Sequence, residues 1–289
     1  MKRTITKTAK HKSIVTKEEW REFTKTVWHI ANTSHAEHPA VFPVEIPHRL
    51  IKLFSFYGET ILDPFGGSGV TARAAIPLGR KVICVDQNVN YTRLTARECK
   101  SLRNGKPSAQ LLSVICGDSR KLDVRDDSIG LVVTSPPYWN KADYGTNSIN
   151  IGAEANYSRF LRGIETVFRE CKRVLMPGRK LCVVTANVNQ YTDHGLLTFP
   201  LAADFAVMMR KMGLVMVNEI IWSKDGTGGR WGSANHQRPI FGSYPYPPNF
   251  LFKNVHEHIL IFAKAPQKRN SSKKALAYAS LIDAALIRD

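Results

Sequence analysis

Two periodicities alternate along residues 60–212, and that alternation limits the architecture more than any other feature of the chain. TILDPF (60–65), KVICVD (81–86), QLLSVICGD (110–118), SIGLVVTS (128–135) and LCVVTA (181–186) have the length and apolar content of buried strands. Segments 70–78, 89–103, 157–175 and 201–212 instead carry apolar residues at helical spacing. Repeated strand–helix–strand units demand a mainly parallel twisted sheet with helices on both faces, an α/β fold. Such a sheet binds ligands at the carboxyl ends of its strands, near the point where strand order reverses. After Gly213 the pattern changes. LVMVNEIIWSK (214–224) and HILIFAK (258–264) read as strands with no helical pattern between them, a C-terminal antiparallel hairpin.

One domain over residues 35–265 follows. Residues 1–34 read as a loose basic arm and a short helix, with Trp20, Phe23, Val27 and Trp28 as the apolar cluster. HPAVFPVEIP (38–47) holds three prolines and reads as extended. The next helix carries Leu50, Ile51, Phe54 and Tyr57 on one face and closes at Gly58. Residues 266–289 read as a basic linker and a terminal helix over 275–287.

The 289 residues are 43% hydrophobic, enough for one sizeable core. The net charge of +17 brings only self-repulsion to folding, so it points to a polyanionic partner whose counterions the cations displace. Cys84, Cys99, Cys116, Cys171 and Cys182 form no CxxC pair. They read as reduced core thiols of a cytoplasmic protein, not as a disulfide or zinc framework, and no metal-ligand cluster is visible. No apolar run approaches a membrane span, and MKRTITKTAKHKS lacks the apolar region of a secretory signal.

Every motif with chemical content falls at a strand's carboxyl end. DPFGGSG (63–69) permits a tight strand-to-helix turn with no side chain between backbone and ligand. Neither GxGxxG nor GxxxxGK[ST] fits it. Asp86 ends the next strand, where a carboxylate can accept from both hydroxyls of a ribose. Asp118 ends the one after, placed to meet an adenine edge. Singly, each aspartate serves as well as a cap or turn residue; three in successive units favour a nucleoside pocket. In TSPPYW (134–139) two prolines stiffen the turn. The Ser135 hydroxyl and Pro136 carbonyl then offer acceptors to an amine, and Tyr138 offers a flat face. A purely structural proline turn is the alternative.

DPFGGSG and TSPPY resemble the two signature motifs of the DNA amino-methyltransferases, S-adenosylmethionine-dependent enzymes that methylate cytosine N4 or adenine N6. The resemblance continues through HPAVFPVEIPHRLI, YWNKADYG, YSRFL, CKRVLMPG and WSK…RWGS…HEHILIFAK, over residues 38–264. It implies a Rossmann-like methyltransferase fold, S-adenosylmethionine as cofactor, double-stranded DNA as partner, and room for a cognate restriction endonuclease. Asp63, Phe65, Gly66, Ser68 and Gly69 would form the cofactor loop, most of them against its methionine part. Phe42 and Pro43 would line the pocket, Asp86 would hold the ribose, and Asp118 would meet the adenine. Ser135, also beside the cofactor, would grip the flipped target base with Pro136, Pro137 and Tyr138.

In the family that the chain resembles, a serine at the head of the turn leans towards cytosine N4, and an aspartate towards adenine N6. Adenine N6 methylation, RNA base methylation and an inactive nucleic-acid-binding relative are the alternatives. Cytosine C5 chemistry is a poor match, because it needs a cysteine nucleophile and no Pro-Cys pair occurs. Many relatives carry the two motifs in permuted order, with target recognition between the halves. Here strands fill the intervening stretch, so recognition is assigned to an insert at 222–255, through Arg230, Trp231, Arg238 and Lys253. A self-packed loop covering the sheet edge is the alternative there. Residues 141–151 read as a loop over the flipped base. In MPGRK, Arg179 stands where a second glycine is commoner.

Overall fold

The structure is a computed structural model and describes residues 5–38, 41–103, 111–139, 150–224, 245–248, 252 and 254–265. Five parallel strands form its centre: β2 (Thr60–Asp63), β3 (Lys81–Asp86), β4 (Leu112–Cys116), β5 (Ile129–Thr134) and β6 (Leu175–Thr185). They lie in the order β6-β5-β2-β3-β4. The chain runs outward from β2 to β4, then returns to β2's other side as β5, so strand order reverses between β2 and β5. Ile61 pairs with Leu131 and Leu62 with Val132 across that point. Asp63 and Thr134, the last residues of the two strands, therefore flank the crevice where such sheets bind ligands.

The C-terminal hairpin completes the sheet as expected. It consists of β9 (Leu214–Ser223) and β10 (His256–Lys264), with β10 antiparallel to both β6 and β9. Helices α3 (Glu45–Phe54), α4 (Val70–Ala75) and α5 (Val89–Glu98) precede α6 (Tyr157–Val174) and α7 (Leu201–Lys211). Phe160 and Phe168 of α6 and Phe205 of α7 belong to one core cluster. Leu50 and Ile51 of α3 and Ala72 and Ala75 of α4 belong to the other. Every residue of β5 is buried between the two, which explains its uninterrupted apolar run.

Several expectations need correction. Residues 5–34 are not a loose arm: α1 (Lys7–His11) and α2 (Lys17–Phe23) lead into β1 (Val27–His29). β1 joins the edge of the main sheet parallel to β9, pairing Trp28 with Trp222. α3 begins inside the stretch read as extended. Pro47 is accommodated because it sits in the first turn, where its missing N–H breaks no helical bond. α3 ends at Phe54, so Tyr57 and Gly58 lie in the turn beyond it. α4 and α5 stop earlier than their periodicity suggested, and β6 starts earlier, at Leu175.

A separate hairpin, β7 (Val188–Thr192) and β8 (Gly195–Phe199), was not anticipated, because its mixed polar residues show no clean alternation. Four cysteines are buried and free, but Cys116 is exposed. Arg179 also gains a physical reason. It forms an ion pair with the buried Glu59 and lies 5.4 Å over the Phe56 ring, tying the start of β6 to the turn before β2. Residues 1–4, the loop at 141–149, most of the insert and the whole of 266–289 lie outside the described residues. Among the described residues no helix is long and apolar enough to cross a membrane.

Candidate active site

The glycine-rich turn runs from the end of β2 into α4. Gly69 has φ 78°, and a Cβ there would come within 2.9 Å of the Thr95 side chain, so both conformation and space require glycine. Asp63 lies behind this turn, 1% exposed. Thr71 donates its hydroxyl to one carboxylate oxygen at 2.6 Å, and Thr134 donates to the other at 2.7 Å. The Phe65 N–H adds a bond of 3.1 Å. Burial pushes the Asp63 carboxyl up to about 6 in spite of these donors. Asp63 thereby joins the glycine turn, α4 and the last residue of β5.

A cavity of ≈ 490 Å³ opens in front of the turn. Asp86 lines it, with its carboxylate accepting the N–H groups of Gly67 and Asn88, both at 2.9 Å. Burial raises its pKa above the usual carboxylate range. Asp118 lines it as well. Partial burial would raise that carboxyl, but Arg120 Nε bonds both oxygens, at 3.0 and 2.9 Å, and the group stays below its ordinary value. Ser68 is 2% exposed, and its Oγ has no hydrogen-bond partner among the described residues. His38 and Tyr91, with ring centroids 4.4 Å apart, form part of the same wall.

The proline turn forms another part of the wall. Ser135, Pro136, Pro137 and Tyr138 all line the cavity. The Tyr138 hydroxyl donates to Glu257 Oε2 at 2.6 Å, and Lys224 pairs with the other oxygen of Glu257. Trp139 turns away into the core. Its Nε1 donates to the Glu154 carbonyl at 2.8 Å, and its ring packs 4.5 Å from Phe199 and 5.0 Å from Tyr157.

The cavity brings together most of the residues singled out in the sequence. Phe42, Phe65, Gly66, Ser68, Asp86 and Asp118 line it with the four residues of the proline turn. Pro43, Asp63 and Gly69 do not. Pro43 is buried, its carbonyl accepting from the Ile46 N–H at 3.0 Å, while Asp63 and Gly69 brace the turn from behind. Arg230, Trp231, Arg238 and Lys253 lie outside the described residues. Lys224 and Glu257 were missed as site residues. The signal was present, since Glu257 is an acidic residue introducing the apolar run of β10.

A doubly wound sheet whose switch point opens on a glycine turn, acidic strand ends and a serine–proline–proline–tyrosine turn defines a methyltransferase-type α/β fold. The DNA methylase family model matches residues 2–97 and 129–281, and the chain belongs to that family, the S-adenosylmethionine-dependent methyltransferases of base amino groups. The chain is 42% identical over 190 residues to the Type II methyltransferase M.MjaI of Methanocaldococcus jannaschii, covering 58% of this chain and 60% of that protein. It is 36% identical over 89 residues to the Type II methyltransferase M.BglI of Bacillus subtilis, covering 30% of this chain and 26% of that protein. The alignments thus span about three fifths of the first relative and about a quarter of the second. Among solved structures, TTHA0409 from Thermus thermophilus complexed with S-adenosyl-L-methionine shares 33% identity at a TM-score of 0.39, over 55% of this chain and 57% of that one.

The residues present fit the family's cofactor. A cradle of glycines leaves the backbone open, the buried Ser68 hydroxyl faces the cavity without a protein partner, and the Asp86 carboxylate stands on its wall.

Proposed function

We propose that the chain is a site-specific DNA methyltransferase acting on the N4 amino group of a cytosine flipped out of the duplex. One observation carries this reading: the glycine turn and the Ser135–Tyr138 turn line a single cavity at the sheet's switch point. Bound S-adenosylmethionine would supply an activated methyl group. Asp86 would accept its ribose hydroxyls, Ser68 would take a polar group of its methionine part, and Asp118 would meet its adenine.

An amine inside a duplex cannot reach that cavity, so the nucleotide has to be extruded, at a cost of roughly a few kcal/mol. Tyr138 stacks on the base, while the Ser135 hydroxyl and the Pro136 carbonyl accept from the amine and aim its lone pair. Two prolines hold those acceptors rigidly, and positioning supplies much of the acceleration. The proton released on methylation leaves through Ser135 to water. Serine at the head of the turn, where adenine-specific relatives favour aspartate, supports cytosine N4.

The test is expression in a host without DNA methylation, followed by genome sequencing that separates N4-methylcytosine from N6-methyladenine. A single motif carrying N4-methylcytosine is expected, and Ser135→Ala or Tyr138→Ala should erase it. N6-methyladenine would reassign the base. Unmodified DNA from a folded, cofactor-binding protein would overturn the DNA reading in favour of RNA or an inactive relative.

A further inference from the structure

Glu257 is the second residue of β10, a strand whose members Ile259, Leu260 and Ile261 beyond the half-buried His258 are all buried. It is itself only 8% exposed. A carboxylate in such a place carries a desolvation cost that apolar packing would avoid, so its partners matter. Both described partners stand on the cavity wall. One oxygen accepts the Tyr138 hydroxyl, 119 positions away in sequence, and the other pairs with Lys224. Lys224 is anchored in turn. Its ammonium lies 4.6 Å over the Trp222 ring, and its backbone N–H donates to the Val255 carbonyl at 2.8 Å.

We infer that Glu257, held by Lys224, is a positioning residue that fixes the Tyr138 ring for stacking on the extruded base; this rests on the methyltransfer reading of the cavity. The proline turn fixes the backbone end of Tyr138, and Glu257 fixes the hydroxyl end. A phenol donating to a carboxylate makes a charge-assisted bond, stronger than one to a neutral acceptor or to water. The ring plane is then set before the base arrives, and less freedom is lost on binding. Substitution by glutamine keeps the shape but leaves one acceptor oxygen for two donors, the phenol and the ammonium.

The experiment uses the full chain, tritiated S-adenosylmethionine and unmethylated genomic DNA from a methylation-free host. Glu257→Gln is expected to lower kcat roughly tenfold or more, with cofactor affinity by calorimetry changed by less than about twofold. Tyr138→Phe keeps the ring and loses the hydroxyl. Because both changes remove the same bond, the double variant should be no slower than Tyr138→Phe alone. Losses that multiply, or an unchanged kcat in Glu257→Gln, overturn the inference.

A second measurement does not depend on turnover. In protein labelled with 3-fluorotyrosine, the Tyr138 resonance is identified by its absence from Tyr138→Phe, and it should move in Glu257→Gln. A resonance that stays in place overturns the inference. If the resonance moves in Glu257→Gln but the wild-type protein methylates no DNA, the coupling stands and the missing methylation counts against the DNA reading instead.

Discussion

Asp63 shows how a residue of a signature motif can brace a cavity that it does not line. Its two oxygens are occupied by Thr71, Thr134 and the Phe65 N–H, so it sets the distance between the glycine turn and the residue preceding Ser135. The arrangement has a pH signature. The folded-state pKa is raised to about 6, above the unfolded value, so between the two the folded state holds the proton more tightly. Its stabilising contribution is therefore complete below the ordinary carboxylate range and is lost as pH rises through about 6. Asp63→Asn cannot ionise. Its stability relative to wild type should rise between about pH 4 and pH 7, by up to about 3 kcal/mol on order of magnitude. Urea unfolding at about pH 4.5 and about pH 7.5 measures this, and a difference that stays constant with pH would refute it. The motif was legible in the sequence. That its aspartate points inward was not, because the spacing of DPFGGSG says nothing about which partners the two threonines offer.

At the scale of elements, legibility followed how much of a strand's environment is local. β2, β5 and the second half of β6 are apolar runs because neighbours cover them on both sides, and the run itself betrays the strand, whereas the edge strand β4 is only partly buried. β1 has three residues and becomes a strand only because β9 lies beside it: the Ile221 N–H donates to the Thr26 carbonyl, and the Trp222 indole N–H donates to the Ile30 carbonyl. Trp28 is 1% exposed, with the Arg49 guanidinium 5.1 Å from its ring. Trp28→Ala should therefore cost about 3–5 kcal/mol, as a truncated core aromatic does, and should speed amide exchange at Ile221. A loose basic arm would show neither effect in denaturation or exchange experiments. Arg179 makes the converse point. Glycine is commoner at its position, yet here Arg179→Gly would leave Glu59 buried without its ion-pair partner. About 2 kcal/mol of stability should be lost in urea titration, less than the roughly 3–5 kcal/mol of a fully buried pair because the Arg80 guanidinium also acts on Glu59. Nothing local to MPGRK signalled this, since Glu59 and Arg179 are distant in sequence and meet only in the folded sheet.

At the scale of the whole molecule, an excess of 17 positive charges is joined to a cavity whose own wall carries acidic groups. The two features predict a steep response to salt for DNA and a nearly flat one for the cofactor. Duplex DNA is bound by neutralising phosphates and releasing condensed counterions, so affinity falls as a power of salt concentration. If six or more phosphates are contacted, affinity should drop by roughly 10³ or more between about 50 and about 200 mM salt. Cofactor binding at the proposed site would involve instead a sheltered carboxylate, Asp86, and backbone groups of the glycine turn, where screening by mobile ions is weak. S-adenosylmethionine affinity should therefore change by less than about threefold over the same range. Fluorescence anisotropy with a labelled duplex and calorimetry with the cofactor give the two slopes on one preparation. A flat DNA response would mean that the basic charge does not face the polymer, and the charge-based argument for a nucleic-acid partner would fall while the cofactor cavity stood. A steep cofactor response would mean that the cofactor is held by exposed surface charge, and the cavity between Ser68, Asp86 and Tyr138 would lose its assignment.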